Sequence, residues 1–189
     1  MQSLRIKLAV GVAVLGAAGV GTAAIAHDRS KFSTGLSGYE EVVAGSTSGT
    51  LSTQANGFFR ASVNRGQSEL RYSLSYRGPF DANAAGGTVT QAHIHLGARA
   101  VNGGISAFLC SNLGNGPAGT PACPPVGTVS GTITPAQVVG PAGQGIAAMQ
   151  FGELVQAMRA GATYVNIHTT TFGGGEIRGQ IGDDDDRDH

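Results

Sequence analysis

Leu70-Arg71-Tyr72-Ser73-Leu74-Ser75-Tyr76-Arg77 is the stretch that decides the fold class. Apolar and polar residues alternate without a break, and in an extended chain residues i and i+2 share a face. Leu70, Tyr72, Leu74 and Tyr76 therefore form an apolar face, with Arg71, Ser73, Ser75 and Arg77 opposite. A period of two is that of a half-buried strand; at helical spacing the same residues would scatter around the axis. Gly78-Pro79 ends the segment.

The same pattern repeats on both sides. Strands are expected at Lys31 to Ser37, at Thr88 to Leu96, at Ile105 to Leu109 and at Val126 to Ile133. Thr50 to Gln54 and Phe58 to Val63 read as two more around Ala55-Asn56-Gly57, because Asn-Gly is a strong hairpin signal. Thr163 to Thr169 and Glu176 to Ile181 read as the last two, joined by Gly173-Gly174-Gly175. Roughly seven to nine short strands with evenly spaced turns predict an all-β, antiparallel sandwich or barrel. One or two short helices are expected with it. Thr134-Pro135 is a cap followed by proline at the first helical position. Phe151, Leu154, Val155 and Met158 form an amphipathic stripe that Gly161 stops, and their expected role is core packing.

The ends read differently. Arg5 and Lys7 precede an uncharged run from Leu8 to Val20, and Ala24-Ile25-Ala26 fits a small-x-small cleavage pattern. Residues 1–26 are thus expected to be a cleaved signal peptide, the apolar run being short of the roughly 20 residues that span a bilayer. His27 becomes the new N-terminus, residues 27–182 a single β domain, and residues 183–189 a solvated, disordered acidic tail with five Asp in seven positions. No later segment is apolar enough to span a membrane. The expected location is secreted or periplasmic.

Composition narrows the function classes. With 31 glycines, no tryptophan and 13% charged residues, the chain suits a turn-rich β protein. Without Arg5 and Lys7, 10 basic residues face 12 acidic ones, and no Lys/Arg cluster exists. Nucleic acid is therefore excluded as a partner, leaving an extracellular protein or a small ligand. Cys110 and Cys123 make an even pair in a chain read as exported, so a disulfide is expected around the Gly-, Pro- and Asn-rich loop between them.

Chemistry concentrates in Gln91-Ala92-His93-Ile94-His95-Leu96-Gly97 and in Tyr164-Val165-Asn166-Ile167-His168-Thr169. His93 and His95 project from one face of their strand; Asn166 and His168 share a face of theirs; Glu176 and Arg178 share a face of the last strand. If these strands are neighbours, the six residues form one cluster. Two readings stay open. In one, His93, His95 and His168 are metal ligands, since imidazole suits copper or zinc, and redox chemistry follows if a coordination position stays open. In the other, the histidines and a Glu176–Arg178 pair satisfy one another as a polar network on the sheet. A freed His27 would add an α-amine and an imidazole, a chelate for copper. Other catalytic arrangements are missing: there is no Gly-x-Ser-x-Gly elbow, no phosphate-cradling glycine motif, and Glu40, Glu41 and Glu69 have no suggested partner.

Four motifs together resemble the CHRD domain, known from the developmental protein chordin and from bacterial exported proteins. They are Leu36-Ser37-Gly38-Tyr39-Glu40-Glu41-Val42, Ala92-His93-Ile94-His95-Leu96-Gly97, Tyr164-Val165-Asn166-Ile167-His168-Thr169 and Gly175-Glu176-Ile177-Arg178-Gly179-Gln180. The resemblance runs from about residue 32 to residue 181; Val43-Ala44 stands where the family often has prolines. It implies an immunoglobulin-like or barrel-like β domain with no established enzymatic activity to carry over and a structural or binding, non-enzymatic role outside the cytoplasm. The His-x-His pair with a distant strand histidine is also similar to the copper half of copper/zinc superoxide dismutases, although their further His and Asp ligands are missing here.

Overall fold

The computed structural model describes residues 30–43, 49–80 and 88–183. The expected signal peptide, His27 and the acidic run from Asp184 onward lie outside the described residues. Within them the chain forms β1 (Lys31–Ser37), β2 (Asn56–Val63), β3 (Leu70–Arg77), β4 (Val89–Leu96), β5 (Gly104–Ser111), β6 (Gly127–Ile133), α1 (Phe151–Arg159), β7 (Thr163–Thr169), β8 (Ile177–Gln180) and β9 (Gly182–Asp183). Single 3₁₀ turns stand at Gly38–Glu40, Pro135–Gln137 and Ala142–Gln144.

The strands make one antiparallel sheet in the order β5-β4-β7-β8-β1-β2-β3-β6, with β9 also on β1. It curls into a nearly closed barrel, so the expected antiparallel all-β class is found as one sheet. β3 shows how the pattern becomes packing. Leu70, Tyr72, Leu74 and Tyr76 are buried, while Arg71, Ser75 and Arg77 are not. Tyr72 and Tyr76 reach across and donate their hydroxyls to the carbonyls of Leu109 (2.5 Å) and Pro124 (2.6 Å). Each thus fills the interior and satisfies its polar tip. The stripe of α1, Phe151, Leu154, Val155 and Met158, joins the same core, and Gly161 ends the helix with φ +64°. Thr134 and Gln137 form a capping box around the Pro135 turn.

The Asn-Gly signal misled. Thr50 to Gln54 is not a strand, and Asn56 and Gly57 are the first residues of β2, opposite Arg77 and Tyr76. A Cβ on Gly57 would lie 3.0 Å from the Ser75 carbonyl oxygen, so this glycine serves close backbone approach inside the sheet. The real hairpin joins β2 to β3 at Asn64–Glu69, where the Asn64 Oδ1 accepts the amides of Ser68 (2.9 Å) and Glu69 (3.2 Å). At the other end, Asp183 pairs with Phe32 of β1, so the first residue of the acidic run belongs to the sheet.

Cys110 and Cys123 are disulfide-bonded. Beside the bridge, the Asn112 side chain donates to the Val89 and Cys123 carbonyls and accepts the Cys123 amide. The loop is thus held at its base by a covalent bond and three hydrogen bonds. Among the described residues, no helix is long and apolar enough to cross a membrane.

Candidate metal centre

β4 and β7 are adjacent, and their register sets the centre. His93 lies opposite Asn166, His95 opposite Tyr164 and Gln91 opposite His168. Paired residues point to the same side, so the outer face of β4 and β7 carries His93, His95, Tyr164, Asn166 and His168, while Ala92, Ile94, Val165 and Ile167 line the core. The β4–β5 register slips at Ala92/His93 and again at Ile94/His95. Such bulges re-aim side chains, here the two histidines of the His-x-His pair.

The three histidines converge. Each offers a nitrogen, and these atoms lie within 4.8 Å of one another. A tetrahedral ion with metal–nitrogen bonds of about 2.0–2.1 Å holds its nitrogens about 3.3 Å apart, so a pair at the 4.8 Å limit must draw in by about 1.5 Å. His93 Nδ1 and His168 Nε2 are hydrogen-bonded at 3.1 Å, a contact that coordination by both rings would replace. The rings are shut away from water, at 0% exposure for His93, 7% for His95 and 6% for His168. Burial opposes their protonation: His93 is pushed down to about 2, with His168 and His95 adding to the effect. His95 falls to about 4, burial again leading, and His168 is lowered by burial too. All three are neutral at physiological pH.

Two backbone carbonyls then decide which nitrogens are free. A carbonyl only accepts, so the ring nitrogen facing it carries the proton. His95 Nδ1–H donates to the Gly103 oxygen (3.0 Å), and His168 Nδ1–H donates to the Gly173 oxygen (3.0 Å). Neutral imidazole has one N–H, so Nε2 of both rings presents a lone pair. Metal-ligating histidines are oriented by this same kind of outer bond. The His168 Nε2 lone pair accepts from His93 Nδ1–H, which leaves His93 Nε2 and His95 Nε2 buried without a partner.

The outer face is covered by three segments: the turn after β1, the β4–β5 loop and the β7–β8 loop. Arg178 on β8 holds the middle one. Its guanidinium donates to the Ala98 (3.0 Å) and Val101 (2.9 Å) carbonyls and to Asn102 Oδ1 (3.3 Å). It also lies 3.4 Å from the centroid of the Tyr164 ring, and Tyr164 stacks on His95 at 4.8 Å with planes 5° apart. Asn102 reaches on to the Val42 carbonyl, and Arg99 pairs with Glu40, which binds the β4–β5 loop to the turn after β1.

Of the residues expected in one cluster, the structure brings together the three histidines, with Asn166 and Arg178 in register beside them. Glu176 is fully buried and accepts the hydroxyls of Thr53 and Thr169, both at 2.8 Å. The acid at Asn166 is Glu41, 1% exposed, whose Oε1 accepts the Val42 amide (2.9 Å) and a long bond from Asn166 Nδ2 (3.4 Å). Burial raises the Glu41 carboxyl above its ordinary range, against the lowering influence of its hydrogen bonds and of Arg178. Sequence reading found no partner for Glu41. Its place in the Gly38-Tyr39-Glu40-Glu41-Val42 motif was the one available signal.

No curated protein and no solved structure matches the chain. The family model of the CHRD domain matches residues 32–181, from the second residue of β1 to the residue after β8. That span contains all three histidines, Glu41, Asn166 and Arg178, and the chain belongs to the CHRD domain family.

Proposed function

We propose that this chain is an exported, non-enzymatic binding domain, secreted or periplasmic, and that its buried histidine centre holds a copper or zinc ion through His93, His95 and His168. One observation carries the reading. Three neutral imidazoles converge out of water with two tautomers set by backbone carbonyls, and two ring nitrogens there have no donor facing them. Each buried polar group left unmatched costs about 1–3 kcal/mol, and His93 Nε2 and His95 Nε2 are two such groups, beside Asn166 Oδ1 and Glu41 Oε2. A bound ion supplies the missing partner. The disulfide and the N-terminal Arg5/Lys7, apolar-run and Ala-Ile-Ala pattern support the extracytoplasmic part.

Metal analysis of the purified protein tests the reading, with His95→Ala alongside. One copper or zinc per chain that disappears in the variant is the expected result. Protein that takes up neither ion at any loading overturns it.

A further inference from the structure

The charge around the three histidines goes further than their number. The ligand group contains three neutral rings and no carboxylate or thiolate. An ion bound there keeps its whole charge in a dry site. The cost of holding a charge out of water rises with its square, so a divalent ion pays about four times the penalty of a monovalent one.

The neighbouring charges sharpen this. Arg178 bears on the centre through Tyr164, its guanidinium on one side of the phenol and the His95 ring stacked with it. Two buried acids lie outside the ligand group, Glu41 at Asn166 and Glu176 at Thr169. Glu40 and Arg99 are partly exposed and paired with each other. The Arg178 guanidinium is thus separated from the His95 ring by the Tyr164 phenol, and the ligand group itself holds no anion.

Coordination number points the same way. Zinc takes four ligands, three histidines needing a water or anion as the fourth, and Cu(II) prefers a tetragonal set. Cu(I), a closed-shell monovalent ion, is satisfied by three nitrogens in a plane.

We propose that the centre is built for Cu(I), held by the three neutral imidazoles of His93, His95 and His168 in preference to Zn(II) and Cu(II). This rests on the metal-binding reading above. It makes the protein a holder of reduced copper in an oxidising compartment.

The test is a set of titrations of the purified disulfide-bonded protein. Cu(I) is added without oxygen against a chromophoric Cu(I) chelator, and Zn(II) and Cu(II) are added against chelators of known affinity. One Cu(I) per chain, bound roughly a thousandfold more tightly than Zn(II), is expected from the charge and coordination difference. Zn(II) or Cu(II) bound as tightly as Cu(I) overturns the inference and leaves the metal reading standing. Failure of all three ions to bind ends both. Two variants isolate the charge. Arg178→Lys should keep the Cu(I)/Zn(II) ratio within a few-fold, while Arg178→Gln should narrow it at least tenfold; equal ratios in the two variants refute the role of the cation. The wild-type ratio decides the main question even if Arg178→Gln does not fold.

Discussion

His95 Nδ1 donates to the carbonyl oxygen of Gly103 across 3.0 Å, and that bond ties a candidate ligand to the loop that covers it. Gly103 in turn donates its amide to the Tyr164 hydroxyl (3.0 Å), on the ring stacked against His95. The loop's position and the histidine's tautomer are therefore set together. An opened loop would release the Nδ1 proton's acceptor and expose the ring.

Acid should destabilise the metal-free protein through this residue. His95 has a folded pKa of about 4, below the ordinary 6.5, so its contribution is complete above pH 6.5 and is lost as pH falls through 4. Denaturant unfolding should show stability dropping by up to about 1.4 kcal/mol per pH unit in that window for each such histidine. His95→Asn should flatten the slope. An unchanged slope would mean that the ring is solvated in the native state.

Glu41 should act in the opposite sense. Its folded pKa is raised, so its contribution is whole below the ordinary 4.5 and fades as pH rises through the folded value. Glu41→Gln keeps the shape and cannot ionise. Its stability relative to wild type should therefore improve from pH 4 toward pH 8, as read from unfolding midpoints; a constant difference across that range would contradict the burial of a charge.

Two neighbouring glycines should respond very differently to alanine. Gly175 has φ +131°, and a Cβ there would stand 2.6 Å from Glu41 Oε2 and closer still to the Asn166 amide. Gly175→Ala should cost about 2 kcal/mol or more and weaken metal uptake, since β7 and the turn after β1 must part. Gly173 has open space where its Cβ would go, and Gly173→Ala should stay within about 0.5 kcal/mol. Thermal unfolding of the pair provides the comparison.

Arg178 is 1% exposed and serves three acceptors on one loop. Lysine keeps the charge and loses the planar fork. Arg178→Lys should destabilise by about 2–3 kcal/mol, as the loss of buried hydrogen bonds from a charged donor does. Amide exchange should quicken selectively between Ala98 and Gly103. Uniform quickening across the barrel would indicate a global effect instead.

Removing the disulfide should be costly in the same range. The bridge closes a loop with a sequence separation of 13, for which chain entropy predicts about 3 kcal/mol. The Cys110→Ala/Cys123→Ala variant should lower the midpoint accordingly, and native protein should resist thiol labelling until reductant is added. Prompt labelling of two thiols would contradict the bridge.

Strand positions were legible from local pattern. The alternation in Leu70–Arg77 and the spacing of His93 and His95 state which side chains share a face, because the pleat makes that a property of the strand alone. The stripe of Phe151, Leu154, Val155 and Met158 did the same for the helix. Asn56-Gly57 was misread because its glycine answers to Ser75 and Tyr76, neighbours 18 or more positions away, and no local rule contains them. Glu41 was left without a partner for a similar reason. Glu41 and Glu176 are both acids near the same strands, and only packing shows that Asn166 meets Glu41 while Thr53 and Thr169 meet Glu176.

The amino-acid sequence by itself determined the β architecture, the pairing of two cysteines and the common face of His93 and His95, since each depends on residue type and short spacing. The tertiary structure alone decided that β4 lies beside β7, which brings His168 to His93 across 75 positions. It alone supplied the Gly103 and Gly173 carbonyls that set the tautomers, and the Arg178 guanidinium that packs on Tyr164. Strand order and loop closure arise from the sum of many weak contacts around one core, and the centre exists only where that sum places three distant rings together.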